Sequence, residues 1–511
     1  MMKMKMKLTK YYLVLVLSAL FFAGCQQETP ENVDYENTHS NDNEEYIIIG
    51  GEEIEKTEQE LNLKSKGIDD ISPLYGMHDL KTLDIRDNPI PQNEIIEFIK
   101  KTPDCQVLWS IYIGGKYYDS DIDEIDLSKS DDWNYAEASV VLEHFTELQK
   151  IQMKSTQISA EQYAKLREQY PRIEMKMSVL FCDRYYDADA KQLDLAECEE
   201  IDAEALAYFI NIEKIDFGER ILNDRMMDTV MKNCPDAQYV WNVELLDDVY
   251  SSTEEDINIS YTAVKDFNTF KHRLKYLTSL KRINMTYCYL KNENMEELTQ
   301  MYPHVKFVWR VRVGDWELST DLKAFSTGKT EVFDGIRYFG DGVNLLDEDA
   351  AKLKYCTDLE ALDIGHQMYI TDYSFLQYMP KLKILIVAWT QLTDINQITH
   401  LKDLEYLEIF SNNIVDFSPL SQLTNLKYLN CSNNEMDSVD VFMQMPQLEK
   451  LWLVSCENIS EEDRQRLVEA LPDCEIVFDA QSPTHGGWRS RDNEIYRAMR
   501  ETFGLRPVFY D

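Results

Sequence analysis

The sequence predicts an α/β solenoid, which is a stack of short parallel strands joined by turns and helical segments. Three observations predict this fold class. An apolar pattern recurs at a fixed spacing, each copy contains a short alternating run typical of a strand, and a polar residue closes most copies. One copy is too small to bury its own apolar side, so neighbouring copies must stack to form a shared core.

The clearest copy reads Leu404-x-x-Leu407-x-Ile409-x-x-Asn412-x-Ile414. Successive copies start at the evenly spaced positions 382, 404, 426 and 448, and Leu359 stands about one further step before the first. Alternating apolar residues at the fourth and sixth places define a strand with one buried face. We therefore expect Leu407 to be buried between repeats. We also expect Asn412 and Asn434 to occupy equivalent turns, with their amides bonded to backbone groups.

This pattern resembles the leucine-rich-repeat (LRR) signature LxxLxLxxN/CxL. The resemblance covers roughly residues 55–511 and implies a right-handed, curved array with a parallel sheet on its concave side. Asp70-Ile-Ser-Pro-Leu74 and Asp416-Phe-Ser-Pro-Leu420 are similar to the convex-side segment of internalin-type proteins, where a short 3₁₀ turn replaces a helix. The closing His485-Gly-Gly-Trp-Arg489 resembles the tail of LRR lipoproteins from Gram-positive, clostridia-type bacteria.

Residues 47–358 carry the same pattern at wider intervals. Each full copy follows a weaker one and precedes a helix-like stretch, a proline and an alternating apolar run. These prolines are nearly evenly spaced, at Pro103, Pro171, Pro235 and Pro303. We predict composite units in which two repeats precede a strand that extends into a hairpin, with turns at Gly114-Gly115 and Gly314-Asp315. The copy that begins at Ile212 is irregular, since Arg220 stands where a buried turn residue is expected.

The N-terminus predicts export and a lipid anchor. Four lysines precede an apolar run of about a dozen residues, too short for a resident membrane helix, which needs ~20. The run ends in Phe22-Ala23-Gly24-Cys25, which resembles the bacterial lipobox in which Cys25 is lipidated. We expect residues 1–24 to be a lipoprotein signal peptide and residues 25–46 to be the lipidated Cys with a flexible acidic tether.

The net charge of the chain limits the classes of molecule that it is expected to bind, and its cysteine number bears on disulfide formation. The chain carries a net charge of −40, and loss of the four signal lysines leaves −44. Such a field opposes nucleic acid and anionic lipid surfaces, so we expect no nucleic-acid partner. Nine cysteines remain besides Cys25, an odd number, and several occupy matching repeat positions. Small buried apolar residues explain them better than a disulfide framework, which stays open as the alternative.

The chain shows none of the motifs tested for catalysis or cofactor binding. There is no HExxH, Cys-x-x-Cys pair, glycine-rich phosphate loop or GxSxG. Residues 119–124 are acidic but lack the glycine and terminal glutamate of an EF-hand, so a polar turn is favoured over a calcium loop. We expect no cofactor, no metal and no enzymatic activity.

After the regular array at residues 359–478, residues 479–511 leave the repeat pattern. Ile495, Tyr496, Met499 and Phe503 fall on one helical face, and Gly504 stands at a C-terminal capping position. We predict a helical cap over the open core of the last repeat. The alternative is a segment that crosses the concave face and shapes a pocket.

The outward places of the strands predict the binding surface. Exposed aromatics in neighbouring rows mark interaction sites more often than chance. The predicted ligand-contact residues on the concave face are Trp389, Tyr406, Glu408, Phe410, Tyr428, Lys450 and Trp452. The function that follows is surface binding or adhesion to an extracellular protein, peptide or glycan, without catalysis. The alternative is a cell-envelope enzyme or accessory protein with a cleft between the hairpins and the solenoid.

Overall fold

The computed structural model describes residues 45–328, 332–333, 336–337, 344–507 and 509. The predicted signal peptide, Cys25 and nearly all of the tether lie outside the described residues. The chain contains two compact units. The described residues of unit 1 lie within Met1–Ile122 and Glu143–Glu147, and those of unit 2 lie within Asp123–Leu142 and Leu148–Asp511. Within the described ranges, no helix combines the length and apolarity needed to cross a bilayer.

Unit 1 contains one composite repeat unit. Its strands are β1 (Tyr46–Ile49), β2 (Glu52–Glu55), β3 (Glu60–Asn62), β4 (Thr82–Asp84), β5 (Gln106–Leu108), β6 (Ser110–Ile113) and β7 (Lys116–Asp119), with helix α1 at Gln92–Lys101 and a 3₁₀ turn at Ser72–Gly76. Strands β3, β4 and β5 are parallel, and β6 and β7 form the expected hairpin. Gly114 and Gly115 turn this hairpin with φ of 61° and 75°, a conformation that glycine adopts without strain.

Unit 2 begins with three further composite units. Their strands are β8 (Glu124–Asp126), β9 (Lys150–Lys154), β10 (Glu174–Phe181), β11 (Arg184–Asp187), β12 (Gln192–Asp194), β13 (Lys214–Ile221), β14 (Gln238–Leu245), β15 (Asp248–Ser251), β16 (Asp256–Asn258), β17 (Arg282–Asn284), β18 (Lys306–Val308), β19 (Arg310–Val313) and β20 (Trp316–Ser319). In each of these three composite units, three strands pair in parallel and an antiparallel hairpin follows, as the sequence predicts. The repeat copy that begins at Ile212 is irregular, as expected, because the pairing of β13 with β14 shifts register between Asp216 and Ile221.

Helices and 3₁₀ turns connect these strands. The helices are α2 (Tyr135–Val141), α3 (Ala160–Gln169), α4 (Asp224–Asn233), α5 (Phe267–Arg273) and α6 (Asn292–Met301), and the 3₁₀ turns are Leu142–His144, Ala205–Tyr208 and Leu274–Tyr276. Asn134, Ser159, Asn223 and Asp266 cap four of the helices with side-chain oxygens. Caps of this kind satisfy backbone N–H groups that have no partner inside a helix.

The rest of unit 2 is a regular array around one parallel sheet of seven strands. The strands are β21 (Ala324–Ser326), β22 (Val332–Phe333), β23 (Ile336–Arg337), β24 (Ala361–Asp363), β25 (Ile384–Ile386), β26 (Tyr406–Glu408), β27 (Tyr428–Asn430), β28 (Lys450–Trp452) and β29 (Glu475–Val477). Strands β22 and β23 form a separate hairpin, and the other seven form the sheet. Leu385, Leu407, Leu429 and Leu451 are direct cross-strand partners, so the even period of the repeat places identical residues in one buried column.

The connections of this array are short. They comprise helices α7 (Asp347–Ala350) and α8 (Glu461–Ala470) and 3₁₀ turns at Ala351–Tyr355, Ser374–Tyr378, Ile395–Ile398, Ser418–Gln422 and Phe442–Gln444. Helix α9 (Glu494–Thr502) follows the last repeat. The two Ser-Pro-Leu stretches form 3₁₀ turns, as their sequence predicts.

Both packing expectations for the repeat are confirmed. Leu407 has no exposed surface. Asn412 Nδ2 donates to the carbonyls of Val387 and Ile409 at 2.7 and 3.0 Å, and its Oδ1 accepts from the backbone N–H of Thr390. Asn434 bonds the carbonyls of Ile409 and Cys431 in the same way one repeat later. These amides satisfy backbone groups that the turns would otherwise bury without partners.

Most of the described cysteines behave as apolar residues. Cys105, Cys234, Cys288, Cys356, Cys431 and Cys456 are buried free thiols. Burial raises the pKa of Cys356 to about 12, so this thiol stays neutral at physiological pH. One disulfide, between Cys182 and Cys198, joins residues that the repeat pattern does not place together.

Candidate functional site

The predicted concave face is the face of the seven-stranded sheet that points away from the repeat core, and we call it the outer face. The structure does not leave this face open. Tyr406, Phe410 and Trp452 are 4%, 5% and 0% exposed, and Glu408 is fully buried. The expectation that these four side chains face solvent is therefore wrong, because the C-terminal segment (described residues 479–507 and 509) covers them.

Trp488 is the residue of the C-terminal segment that lies over the middle of the outer face. Its ring lies 5.5 Å from the ring of Tyr406 and 5.3 Å from that of Trp452, measured between centroids. Tyr496 and Met499 of α9, and Phe503 directly after the helix, belong to the same buried cluster. None of these residues belongs to the main repeat core. The segment therefore crosses the outer face, which was the alternative interpretation of residues 479–511. The prediction that these residues cap the core of the last repeat is corrected accordingly.

A buried ion pair fastens the segment to the sheet. Arg489 Nη2 donates to Glu408 Oε2 at 2.7 Å, and Trp488 Nε1 donates to Glu408 Oε1 at 2.9 Å. The hydroxyl of Tyr406 also donates to Glu408. Burial and the adjacent carboxylate raise the pKa of Tyr406 far above its ordinary value. Each oxygen of Glu408 thus has a donor, which is the condition under which a buried carboxylate is tolerated.

Further contacts hold the chain that leads into Trp488. Asn430 Nδ2 donates to the carbonyl of Pro483 at 2.8 Å, and Trp452 Nε1 donates to the carbonyl of His485 at 3.4 Å. Gly486 turns the segment with φ of 72°, and a Cβ there would lie 2.9 Å from the Cβ of Ala480. Only glycine fits such a turn without displacement.

The other three predicted residues have separate environments. Tyr428 and Lys450 are half-buried at the margin of the cover. The ring of Tyr428 lies 6.3 Å from that of Tyr406, and Lys450 forms an ion pair with Glu475. Trp389 lies outside the covered cluster and is 49% exposed. Of the seven predicted contact residues, it is the one that the structure presents to solvent as a large apolar surface.

Trp389 belongs to a row of residues that directly precede the asparagine position of each repeat. We call Trp389, Ser411, Asn433 and Ser455 the turn row. All four have left-handed backbone conformations, with φ of 55°, 53°, 52° and 59°. Left-handed φ is uncommon outside glycine and asparagine and is strained for a bulky residue such as tryptophan. The turn geometry thus points these side chains away from both the repeat core and the covered outer face.

A groove of about 640 Å³ runs along the turn row. Its lining residues are Trp389, Ser411, Asn412, Asn413, Asn433, Asn434, Glu435, Ser455, Glu457 and Asn458. The amides of Asn412 and Asn434 serve the backbone, whereas Asn413, Asn433 and Asn458 are exposed. Asn433 Nδ2 donates to Ser411 Oγ at 2.9 Å, which links two neighbouring positions of the row.

A second cavity, of about 610 Å³, lies beside α6 and the turn at Ala351–Tyr355. Glu296, an acid that borders it, accepts hydrogen bonds from Lys354 Nζ and the Tyr355 hydroxyl, both at 2.8 Å. These bonds lower the pKa of Glu296 and keep it ionised. A carboxylate engaged in this way is poorly suited to the proton transfer that an acid/base catalyst performs. Across the described part of the chain, no group of three or more metal-ligating side chains is gathered.

The in-register column of leucines, the buried asparagines and the 3₁₀ connections together define a leucine-rich-repeat fold in the regular array. No family model matches the chain, and no curated protein matches it.

Similar solved structures include an internalin of Listeria monocytogenes, with 13% identity over 85% of this chain and 87% of that chain and a TM-score of 0.21. An LRR protein of Leptospira interrogans has 15% identity over 83% and 96% of the two chains, with a TM-score of 0.23. The TLR13–ssRNA13 complex has 14% identity over 80% and 62%, with a TM-score of 0.24.

Proposed function

We propose that this protein is a lipid-anchored, extracytoplasmic LRR binding protein that holds its ligand along the turn row and performs no catalysis. One observation carries the proposal. The outer face is filled by the chain's own C-terminal segment, whereas the turn row borders an open groove with an exposed tryptophan at one end. Exposed aromatic anchors beside polar groups are typical of binding sites.

The contact set of the proposed site differs from the one that the sequence predicted. Trp389 stays in it, and Ser411, Asn433 and Ser455 join it. Tyr406, Glu408, Phe410 and Trp452 leave it, because the C-terminal segment already occupies the space that a ligand would need. Tyr428 and Lys450 lie at the edge of the cover and are assigned no ligand contact.

The test uses the full chain in detergent on protein and glycan arrays. Trp389→Gly should weaken binding to the ligand that the array identifies by roughly tenfold or more, since a central aromatic anchor is lost. Glycine keeps the left-handed backbone at this position, so the turn itself is preserved. Tyr378→Ala is the matched control, because Tyr378 is 47% exposed in the same array but does not line the groove. Equal losses in both variants, or no binding to either array, would contradict the proposal.

The anchor part of the proposal concerns Cys25. In a bacterial host, the wild-type chain should fractionate with membranes and carry lipid mass on its N-terminal cysteine. Cys25→Ala removes the thiol that is acylated and should abolish both properties, whereas Thr29→Ala should retain them. Intact-mass spectrometry of the purified protein checks the result. A wild-type N-terminus without lipid would refute the anchor.

A further inference from the structure

The groove along the turn row has an unusual composition for a protein- or peptide-binding site. Its ten lining residues comprise one tryptophan, five asparagines, two serines and two glutamates. No aliphatic side chain and no cation is among these described lining residues. A peptide ligand normally fills apolar pockets with its side chains, and this groove offers none beyond the ring of Trp389.

From this composition we propose that the turn row binds a neutral oligosaccharide. The inference deepens the proposed function and rests on it, since it names the ligand class of the same site. A sugar ring has apolar C–H groups on its faces and hydroxyl groups at its edge. The flat indole of Trp389 matches the faces, while amides, hydroxyls and carboxylates match the edge because they supply both donors and acceptors.

Charge selects among saccharides. Glu435 and Glu457 border the groove and are exposed. The whole chain carries a net charge of −40. Two carboxylates in a groove with no cation among its described lining residues repel an anionic ligand, yet they accept hydrogen bonds from neutral hydroxyls. Uronic-acid and sulfated polymers are therefore disfavoured, and so is a nucleic acid.

The dimensions of the row agree with a short chain of sugars. The turn row follows four successive strands, and neighbouring strands lie about 4.8 Å apart, so the row spans roughly 14 Å. One side chain of the row follows each strand, so neighbouring side chains are separated by about the strand spacing. Two of these neighbours, Asn433 and Ser411, are joined by a hydrogen bond. A ligand with regularly spaced hydroxyls can meet one polar group at each step.

Backbone strain gives a second reason to regard Trp389 as selected for binding. The left-handed position favours asparagine or glycine, and tryptophan there costs conformational energy. The ring contributes to no described core cluster and instead stacks on exposed His366, at 5.9 Å between centroids and an interplanar angle of 30°. A strained and exposed residue contributes little to folding stability, which points to a role in recognition.

Upstream in unit 2, two tyrosines adopt the same backbone conformation. Tyr261 and Tyr287 have φ of 66° and 60°, and their rings stack at 4.8 Å. Tyr261 is 74% exposed. Aromatic residues thus recur in the left-handed backbone conformation, which they ordinarily avoid. Trp389 is therefore one of several aromatic residues placed in this way.

Isothermal calorimetry on the full chain tests the inference, in a detergent without a sugar headgroup. The probes are soluble neutral oligomers of glucose, mannose, galactose, xylose and N-acetylglucosamine, with an oligogalacturonate as the anionic counterpart of the galactose oligomer. We expect binding to at least one neutral oligomer and at least tenfold weaker binding of the oligogalacturonate. Binding should persist in EDTA, because stacking and hydrogen bonds carry it.

Three variants locate the binding. Trp389→Gly should reduce affinity for the neutral oligomer by roughly tenfold or more, Trp389→Phe should retain part of it, and Asn433→Gly should weaken it severalfold while keeping the left-handed turn. Tyr378→Ala should bind as the wild type does. Binding unaffected by Trp389→Gly and Asn433→Gly, or a preference for the oligogalacturonate, would overturn the inference.

The two proposals fail in different ways. If no neutral oligomer binds but a protein from the array binds in a Trp389-dependent manner, the saccharide inference is wrong and the proposed site stands. If neither class of ligand depends on Trp389, both are wrong.

Discussion

Replacing Glu408 by alanine is expected to destabilise unit 2 by about 3–5 kcal/mol, the usual cost of removing one partner of a buried ion pair. The Glu408 side chain has no exposed surface, and that of Arg489 is 23% exposed. Without the carboxylate, the guanidinium of Arg489, the indole N–H of Trp488 and the hydroxyl of Tyr406 all lose their acceptor. Urea unfolding followed by tryptophan fluorescence measures the effect.

Two variants serve as controls for this prediction. Glu408→Gln keeps the shape and one oxygen acceptor, so its loss should be smaller than that of alanine. Glu405→Ala removes a neighbouring carboxylate that forms an ion pair with Lys427 at the surface, where the two side chains are 46% and 44% exposed. Exposed pairs contribute only ~0–1 kcal/mol, so this variant should unfold nearly as the wild type does. If Glu408→Ala is as stable as Glu405→Ala, the ion pair does not fasten the segment.

The second large effect is expected for Trp452→Ala. Trp452 of β28 is fully buried under the C-terminal segment, and truncation of a buried tryptophan costs about 3–5 kcal/mol. The melting temperature should fall by several degrees, because each kilocalorie lowers it by ~2–4 °C in domains of 150–250 residues and by less in a unit as long as unit 2. Calorimetric melting of the purified full chain measures it.

Trp389→Gly is the matched control for Trp452→Ala. Both residues are tryptophans that the sequence places on outward positions of the repeats, but Trp389 is 49% exposed. Its removal should change stability by less than ~1 kcal/mol, since little packing is lost and the left-handed backbone suits glycine. A melting temperature that falls as far for Trp389→Gly as for Trp452→Ala would contradict the assignment of one to the surface and the other to the core.

The repeat architecture was predictable because its determinants are local. The offsets around Leu407 and Asn412 recur at an even spacing, and the structure confirms the burial of Leu407 and the backbone bonds of Asn412. The Ser-Pro-Leu stretches and the composite hairpins were predictable for the same reason, since turn residues and apolar alternation lie within a few positions of one another.

The covered face could be stated from the sequence only as an alternative, because the residues that determine it are far apart in the chain. Trp488 and Glu408 are separated by 80 residues. An outward row of aromatics has the same alternation whether solvent, a ligand or another segment of the chain lies on it. The charge of Arg489 and that of Glu408 are complementary, yet many such pairs exist in a chain with 52 basic and 92 acidic residues. Only the three-dimensional structure selects this one.

The turn row was partly visible in the sequence. Trp389, Ser411, Asn433 and Ser455 all occupy outward positions next to the asparagine place of the repeat. The pattern could not distinguish them from the strand residues beside them, because that distinction depends on left-handed φ at the turn. The available signal in the sequence is an asparagine or serine directly before the recurring asparagine. Trp389 is the exception to this pattern, and it belongs to the proposed site.

The C-terminal segment buries the outer face and leaves the turn row open, and the proposed binding site rests on this arrangement. Hydroxyl-radical footprinting of the unmodified full chain, read out by mass spectrometry, tests the arrangement. The oxidation rates of Trp389, Trp452 and Trp488 are compared in one experiment, so each tryptophan controls for the others. We expect rapid oxidation of Trp389, which is 49% exposed, and protection of Trp452 and Trp488, which are 0% and 1% exposed. Oxidation of Trp452 and Trp488 as fast as that of Trp389 would contradict the arrangement, since the outer face would then be open to solvent.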